Sequence, residues 1–411
     1  MYISNDFFKF TQNLLNIMQH ILFLGRNGFF KRDFERFQID ELSKKFKVNL
    51  IDLSNLCNKK FYQKEKNNFF KSKKLIKIKS FNHFEKFFKD NKISCVFDIS
   101  NPNSIALNIF RETINENNIK LVNFQSNLNP TFKRSLFLKI KYLFKVVFFN
   151  KKLFLYYGKK LLEFDYLRKK NEYNFFYDLI FCVGEDGANL NLKNRKKTKY
   201  IFANSLDFEN YKSKKQFKKE SQNYILFLDQ YLPFHNAYAH REIPPFATPK
   251  KYYDSLKKFF DLIEQSLNTK VIIAAHPRSN YKNLKSFFGK RKTINYKKTN
   301  DFISRSLAVI SYTSTAMNFA IIHNKPIIFY TSDEINNSHD AYHVSFLSKK
   351  LGSVLYNIDN PPIQIKDKSL LKINKIKYRD YLNRYIRHSK SGKNSNLKKI
   401  IKIINETKKK I

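Results

Sequence analysis

An apolar run rich in β-branched residues, in the second half of the chain, ends abruptly on residues that can bind an anion. The run at residues 270–275 is directly followed by His276, Pro277 and Arg278. Imidazole and guanidinium groups donate hydrogen bonds to phosphate oxygens, and arginine does so with two parallel N–H groups. The pattern predicts a β-strand that presents His276 and Arg278 to a phosphate.

A second apolar run, residues 307–310, leads into a cluster of hydroxyl side chains formed by Thr313, Ser314 and Thr315. The residues after this cluster have helical spacing. Hydroxyls at a helix start cap its orphan N–H groups, and these N–H groups together with the helix dipole attract phosphate. If both runs are strands of one parallel sheet, His276 and this cluster lie at carboxyl ends of strands, where open α/β sheets bind ligands. The spacing therefore predicts a site for a phosphorylated ligand.

The elements that must position these residues follow from the hydrophobic pattern. Apolar runs alternate with helical patterns, which is typical of βαβ units in parallel sheets. The predicted strands are residues 21–25, 48–53, 75–78, 95–99, 120–124, 179–183, 224–229, 270–275, 307–310 and 326–330. The predicted helices are residues 33–46, 81–90, 104–117, 251–267, 301–306 and 315–323.

We therefore predict an α/β protein with two Rossmann-like domains that face a cleft, an arrangement whose clefts are the usual ligand sites. Residues 1–205 are predicted to form an N-terminal domain on the acceptor side. Residues 222–365 are predicted to form a C-terminal domain that binds the nucleotide, because the anion-binding residues lie there. Residues 366–411 are predicted to form a basic helical tail.

The composition indicates a folded protein of more than one domain. Hydrophobic residues are 42% of the 411 residues, which excludes global disorder, and the length exceeds one ordinary core. The net charge of +44 attracts polyanions, but the basic residues are spread along the whole chain. Since no basic repeat, zinc motif or RNP-like signature accompanies them, we predict no dedicated nucleic-acid partner.

The cysteines and the N-terminus predict a cytoplasmic location. Cys57, Cys95 and Cys182 are far apart and have no metal or redox spacing, which favours a reducing compartment. The first residues are polar, unlike a signal peptide, and no window reaches the ~18 apolar residues of a membrane span. Residues 133–157 mix aromatics and lysines without an acidic residue. This pattern fits an interfacial helix in peripheral contact with the inner membrane, or helices packed on a sheet with their lysines extended outward.

Three motifs resemble those of a known family. His276-Pro277 ends a strand, and Ser314-Thr315 opens a helix before a strand that starts at Lys325-Pro326. With two α/β halves, this order resembles the GT-B glycosyltransferases of bacterial surface polysaccharide synthesis, and among them the bacterial sialyltransferases, which use CMP-activated sugars. The resemblance covers mainly residues 224–335. It implies that His276 contacts the CMP phosphate, that the serine/threonine motif binds phosphate, and that Glu185-Asp186-Gly187 supplies a catalytic base.

The residues themselves leave the general base open. Glu185 and Asp186 also fit an ordinary turn after a strand. Asp229, at the end of a predicted strand, and His235, in the loop that follows and can line the cleft, are alternatives. The chain has no Asp-x-Asp, so we predict that fixed positive groups and helix N–H groups stabilise the leaving phosphate without a metal or cofactor.

The predicted function is metal-independent transfer of a sugar from a nucleotide donor to a glycan or glycolipid acceptor, in capsule or lipopolysaccharide assembly. A CMP-activated, sialic-acid-like donor is favoured over a UDP-sugar. Two alternatives stay open. One is a CDP-glycerol-type glycerophosphotransferase, and the other is a non-catalytic protein that binds polyanions or membrane surfaces.

Overall fold

The structure is a computed structural model that describes residues 18–100, 105–125, 128, 130, 174–189, 198–213, 222–235, 238, 245–277, 279, 285–338, 341–365 and 368–408. Residues 133–157, which carry the predicted membrane-surface segment, lie outside the described residues, as does Arg278. Within the described part of the chain, no helix has both the length and the apolar character needed to cross a membrane.

Thirteen described strands are numbered in chain order. They are β1 His20–Gly25, β2 Lys47–Asp52, β3 Leu75–Lys77, β4 Ile93–Asp98, β5 Lys120–Phe124, β6 Leu179–Val183, β7 Lys199–Ala203, β8 Tyr224–Leu228, β9 Lys270–Ala274, β10 Thr293–Ile294, β11 Ala308–Ser311, β12 Ile327–Thr331 and β13 Leu355–Asn357.

The described α-helices are likewise numbered in chain order. They are α1 Lys31–Arg36, α2 Ile39–Ser43, α3 Ser54–Cys57, α4 Lys59–Glu65, α5 Phe81–Asp90, α6 Asn108–Glu116, α7 Leu206–Ser213, α8 Pro249–Leu267, α9 Thr299–Arg305, α10 Met317–Ile322, α11 Asp333–Asn336, α12 Ala341–Leu351, α13 Lys375–Tyr381 and α14 Asn396–Lys408. Short 3-10 turns include Glu185–Asn189, Leu232–Phe234 and Lys285–Phe288, and a π-helical turn spans Leu382–Ile386.

The strands form two parallel sheets of the doubly wound type. The first sheet has the order β3-β2-β1-β4-β5-β6-β7, and the second has the order β10-β9-β8-β11-β12-β13. In each sheet the order reverses once, between β1 and β4 in the first and between β8 and β11 in the second. Ligands bind outside the carboxyl ends of strands at such switch points. The predicted α/β class with two Rossmann-like domains is confirmed.

The first sheet is covered on both faces, as buried parallel sheets require. Because side chains alternate along a strand, Ile21 and Phe23 of β1 face one core and Leu22 and Leu24 face the other. The first core includes side chains of α1, α2 and α14, whereas the second includes side chains of α5 and α6. The second sheet has α8 against it, whose Leu256, Phe259, Phe260 and Ile263 are all fully buried.

The chain folds into two compact units. The first unit takes the described residues within Met1–Leu128, Glu163–Leu206 and Arg387–Ile411, and the second takes those within Asn129–Leu162 and Asp207–Ile386. The C-terminal helix α14 thus belongs to the unit that holds the first sheet.

Two local differences from the predicted elements have physical causes. The helix predicted over residues 33–46 is two helices, because Gln38 adopts a left-handed conformation with φ 50°. The helix predicted over residues 315–323 begins at Met317, since i→i+3 bonds such as that from Met317 N to Ser314 O form a tighter first turn.

Candidate functional site

Three of the predicted site residues lie at the switch point of the second sheet: the base candidate Asp229 and the phosphate-binding candidates His276 and Thr313. Asp229 directly follows β8, His276 lies two residues beyond the end of β9, and Thr313 lies two residues beyond the end of β11. Because β9, β8 and β11 are neighbours in a parallel sheet, these residues share one carboxyl edge.

Asp229 connects the loops after β8 and β9. Its Oδ1 accepts a hydrogen bond from the backbone N–H of Tyr231 at 2.8 Å, and its Oδ2 accepts one from the N–H of His276 at 3.3 Å. Only 4% of the residue is exposed. A buried carboxylate needs such donors. These two bonds therefore fix the backbone of the loop after β8 and of the loop after β9.

Gln230 connects the loops after β8 and β11. Its Oε1 accepts from the backbone N–H of Thr313 at 2.7 Å, and its Nε2 donates to Thr313 Oγ1 at 3.3 Å. Both atoms of one amide therefore orient Thr313. The sequence motifs do not predict Gln230, whose only local signal is its position beside Asp229 at a strand end.

The turn after β9 holds His276 at the edge of the site. The N–H and the Oγ of Ser279 both donate to His276 O, at 2.9 and 2.7 Å, and Pro277 is exposed within this turn. The ring of His235, from the loop after β8, lies 5.2 Å from the ring of His276. The structure thus places these two predicted residues side by side.

The hydroxyl cluster forms a turn rather than the first helical residues. Ser314 Oγ accepts from the N–H of Ala316 at 3.3 Å, a bond within the turn, and α10 begins after Ala316 without a side-chain cap, so the expected capping by these hydroxyls is not seen. Thr313 and Ser314 are half-buried and Thr315 is exposed. The helix that follows, α10, has six residues. Within this cluster, Thr313 is the residue held by a side chain of the neighbouring loop.

Buried phenols lie behind the site. Tyr252 of α8 and Tyr330 of β12 share a hydrogen bond of 2.7 Å between their hydroxyls, and both side chains are 1% exposed or less. Burial raises the pKa of both phenols, and the charge of Asp229 adds to this effect. The tyrosines are therefore neutral, so they bring no negative charge of their own toward an anionic ligand.

The carboxylates after β12 are used within the protein. Glu334 accepts from the backbone N–H of Thr248 at 2.9 Å and from its Oγ1 at 2.6 Å, which ties it to the start of α8. Asp333 accepts from Asn357 Nδ2 at 2.7 Å. Among the residues that the structure describes, no three His, Cys, Asp or Glu side chains are grouped so that they could hold a metal ion.

Glu185 and Asp186 belong to the first unit, where they open a 3-10 turn directly after β6. Glu185 is exposed and Asp186 is half-buried. Gly187 lets this turn pack tightly, because a Cβ there would lie 2.7 Å from Gln125 Oε1. Gln125 Nε2 in turn donates to Gly187 O at 3.1 Å. The acidic pair is thus held at the carboxyl end of a strand, on a turn fixed by Gln125.

The switch point of the first sheet holds a buried ion pair. Asp98, the last residue of β4, accepts from Arg111 Nε at 2.9 Å and from the Tyr177 hydroxyl at 2.7 Å. Arg111 and Asp98 are both 0% exposed. Burial raises the pKa of Tyr177, and the negative charge of Asp98 raises it further. Each buried charge compensates the other, and the pair connects the end of β4 to α6.

Comparisons with known proteins find structural relatives but no sequence relatives. No protein-family model matches the chain, and no curated protein matches it. The calicheamicin glycosyltransferase CalG4 has a TM-score of 0.51 at 11% identity, and the match covers 96% of this chain and 99% of that chain. A UDP-N-acetylglucosamine 2-epimerase has a TM-score of 0.46 at 11% identity, covering 96% and 97%. MurG of Acinetobacter baumannii has a TM-score of 0.43 at 8% identity, covering 94% and 99%. The match to CalG4 shows the fold: the chain is a two-domain α/β protein of the kind predicted from its sequence.

Proposed function

We propose that this chain is a glycosyltransferase that binds the phosphate of a nucleotide-activated sugar at the switch point of the second sheet. One observation carries the proposal. Adjacent side chains at the end of β8, Asp229 and Gln230, hold the backbone N–H groups of His276 and Thr313. These bonds fix the backbone at the ends of three neighbouring strands. The imidazole of His276 and the hydroxyl of Thr313 are therefore carried on fixed backbone before a ligand arrives.

The chemistry requires such fixed donors. In the proposed reaction an acceptor hydroxyl oxygen forms a bond to the anomeric carbon, and the bond from that carbon to the phosphate oxygen breaks. The hydroxyl proton passes to a general base, and the leaving phosphate gains negative charge. Donors that already point at this charge stabilise the transition state without reorganisation. We assign this task to the His276 imidazole, with the hydroxyls of Thr313, Ser314 and Thr315 beside it.

The roles of the acidic residues follow from their surroundings. Both carboxylate oxygens of Asp229 accept backbone N–H groups, so we propose that Asp229 orients the site rather than removing the acceptor proton. Glu185 is an exposed carboxylate on a fixed turn, and it stays our candidate for the general base together with Asp186. His235, whose ring lies beside that of His276, is proposed to contact the ligand.

The finer parts of the proposal rest on the sequence. A preference for a CMP-sugar over a UDP-sugar follows from the resemblance carried by His276-Pro277 and Ser314-Thr315. A glycan or glycolipid acceptor is proposed on the same basis. The proposed cytoplasmic location follows from the cysteine pattern and the N-terminal residues, and the proposed inner-membrane contact follows from the lysines and aromatics of residues 133–157. The glycosyltransferase CalG4, which has this fold over nearly the same length, supports the general activity.

The first experiment measures the melting temperature of the protein with CMP, CDP, UDP, GDP and a short single-stranded oligonucleotide. A ligand at ~100 times its dissociation constant stabilises the folded state by about 2.7 kcal/mol, which is visible as a shift. We expect selective stabilisation by nucleotides, with CMP giving the largest shift. The shift should be lost in His276→Ala and retained in His83→Ala, a matched histidine variant in the first unit.

Two outcomes would contradict the proposal. Equal shifts with all nucleotides and the oligonucleotide, reduced by salt and unchanged in His276→Ala, would indicate a basic surface that binds polyanions without a nucleotide site. No shift with any nucleotide would remove the proposed donor. A larger shift with UDP than with CMP would keep the glycosyltransferase and reject the CMP preference.

A further inference from the structure

A group of aromatic rings, the aromatic platform, lies directly beside the proposed phosphate site. It consists of Tyr231, Phe234 and Phe287. The ring of Phe234 lies 5.1 Å from that of Tyr231 and 6.2 Å from that of Phe287. Phe287 in turn stacks on Tyr253 of α8 with 4.2 Å between centroids and an interplanar angle of 14°. Tyr253 is 1% exposed, so the platform is anchored in the core of the second unit.

Phe234 presents its ring to solvent although the two residues before it are buried. It is 37% exposed, whereas the preceding residues Leu232 and Pro233 are buried in the same 3-10 turn. The turn begins at Tyr231, whose left-handed φ of 54° is costly for an aromatic residue. Strain of this kind persists where the surrounding structure fixes it, and it is concentrated at functional sites. The backbone therefore holds an aromatic ring outward at some cost.

The platform is continuous with the proposed phosphate site. His235 directly follows Phe234 in the chain, and its ring lies 5.2 Å from that of His276. The N–H of Tyr231 is held by Asp229, the same carboxylate that holds the N–H of His276. One stretch of seven residues, 229–235, thus carries both Asp229, which holds the N–H of His276, and the exposed ring of Phe234.

The two sides of the switch point differ in chemistry. On the β9 and β10 side, Phe287 comes from the segment between these strands, and it forms the platform with the ring of Phe234. On the β12 side lie the carboxylates of Asp333 and Glu334. An uncharged, planar ring that extends from a bound phosphate fits the aromatic side, since each of the nucleotide bases can stack on an aromatic side chain.

We propose that the exposed face of Phe234 stacks on the base of the nucleotide whose phosphate lies beside His276. The ligand class is a nucleoside phosphate, and the platform selects for the presence of a base. This inference rests on the proposed function, because it takes the phosphate position from that proposal. It adds a binding subsite that the sequence motifs do not indicate.

A fluorescence experiment tests the stacking directly. The protein contains no tryptophan, so Phe234→Trp introduces a single indole at the platform. We expect CMP, UDP or GDP to quench this fluorescence, and we expect inorganic phosphate and pyrophosphate to leave it unchanged. The control is Ile376→Trp, which places the indole on α13 at a residue that is 80% exposed and away from the platform. Its fluorescence should not respond to any of these ligands.

Affinity provides an independent measurement. Stacking on one aromatic side chain contributes enough that Phe234→Ala should weaken nucleotide binding by roughly 10-fold or more, whereas Phe234→Tyr should bind as the wild type does. The affinity for inorganic phosphate should be the same in all three proteins, and this also shows that the loop is still folded in Phe234→Ala.

Specific results overturn the inference and leave the proposed function intact. If CMP stabilises the wild type and not His276→Ala, but Phe234→Ala binds CMP as tightly as the wild type, the base lies elsewhere. Quenching of the Phe234→Trp indole by free sugars and not by nucleotides would assign the platform to a sugar. If no nucleotide stabilises the wild type, it is the proposed function that fails.

Discussion

His323 is a residue whose surroundings keep it uncharged in the folded protein. It follows α10, and its Nε2 forms a 2.9 Å hydrogen bond with Asn300 Oδ1. The ring of Tyr211 packs edge-on against it with 5.2 Å between centroids. Burial, and then the positive charge of Lys325, lower the pKa of His323 from 6.5 to about 4, against a smaller opposite effect of Asp301.

This shift predicts a loss of stability in acid. Below pH 6.5 the unfolded chain binds a proton at His323, while the folded chain does not bind it until about pH 4. The contribution of neutral His323 to the stability of the folded protein is therefore complete above pH 6.5, and it declines as the pH falls toward 4. Burial also lowers the pKa of His20 and His388, so protonation of these two histidines should also reduce the stability of the wild type in acid. In urea unfolding at pH 7.5 and pH 5, His323→Gln should lose less stability between the two pH values than the wild type does. Equal losses would contradict the assignment.

The residues of the site could be predicted only where a local pattern marks them. His276 and Thr313 follow apolar runs, so their position at strand ends is readable from sequence. Gln230 is not readable in this way, because its partner Thr313 is 83 residues away and the bond depends on β8 and β11 becoming neighbours. The contact between His235 and His276 also depends on strand order rather than on spacing.

The turn that carries Glu185 and Asp186 depends on one glycine. In addition to Gln125 Oε1, a Cβ at Gly187 would meet the backbone of Cys182 at 3.3 Å. Gln125 Oε1 also accepts from Val183 N at 3.1 Å, so the same side chain connects the end of β5 to the end of β6 and to the turn. Any side chain at Gly187 must displace this amide.

We expect Gly187→Ala to destabilise the first unit by about 1–3 kcal/mol, the usual cost of inserting a methyl group into a packed site. The measurement is thermal or urea unfolding. Gln125→Ala should itself destabilise, since it removes the two bonds, but in that background the glycine change should cost less, because the closest clash is gone. Strictly additive effects would show that Gln125 does not restrict the turn.

At the level of elements, the sequence predicts long apolar strands well and short or irregular ones poorly. The strands β5 and β6 have the bounds expected from their apolar runs. The strands β10 and β13 have two and three residues, too few for a period to be visible, and they form because a neighbouring strand supplies their hydrogen bonds. The break at Gln38 is likewise invisible in the pattern, since its residues keep helical spacing on both sides.

At the level of the whole chain, the two units show the same order of strands. In each, the third strand along the chain lies at one edge, the first lies in the interior of the sheet, and the fourth pairs with the first. The repeated alternation of apolar runs and helices is sufficient to predict this class. The helical spacing of the final segment also predicts α14, but spacing does not say which core receives its apolar face. Ile400, Ile403 and Ile404 pack in the core of the first sheet, hundreds of residues away from β1.

The packing of α14 predicts that the end of the chain stabilises the unit formed by its beginning. Ile404 is 0% exposed, and its carbonyl accepts from Gln19 Nε2 at 3.0 Å. Ile404→Ala should cost about 2–5 kcal/mol, because it leaves a cavity in a buried cluster. The control is Ile376→Ala on α13, which is 80% exposed and should change stability little. Hydrogen exchange locates the effect. In Ile404→Ala the amides of β1 and β4 should exchange faster, while those of β8 and β11 keep their rates. Faster exchange only in the second unit would contradict the assignment of α14 to the first.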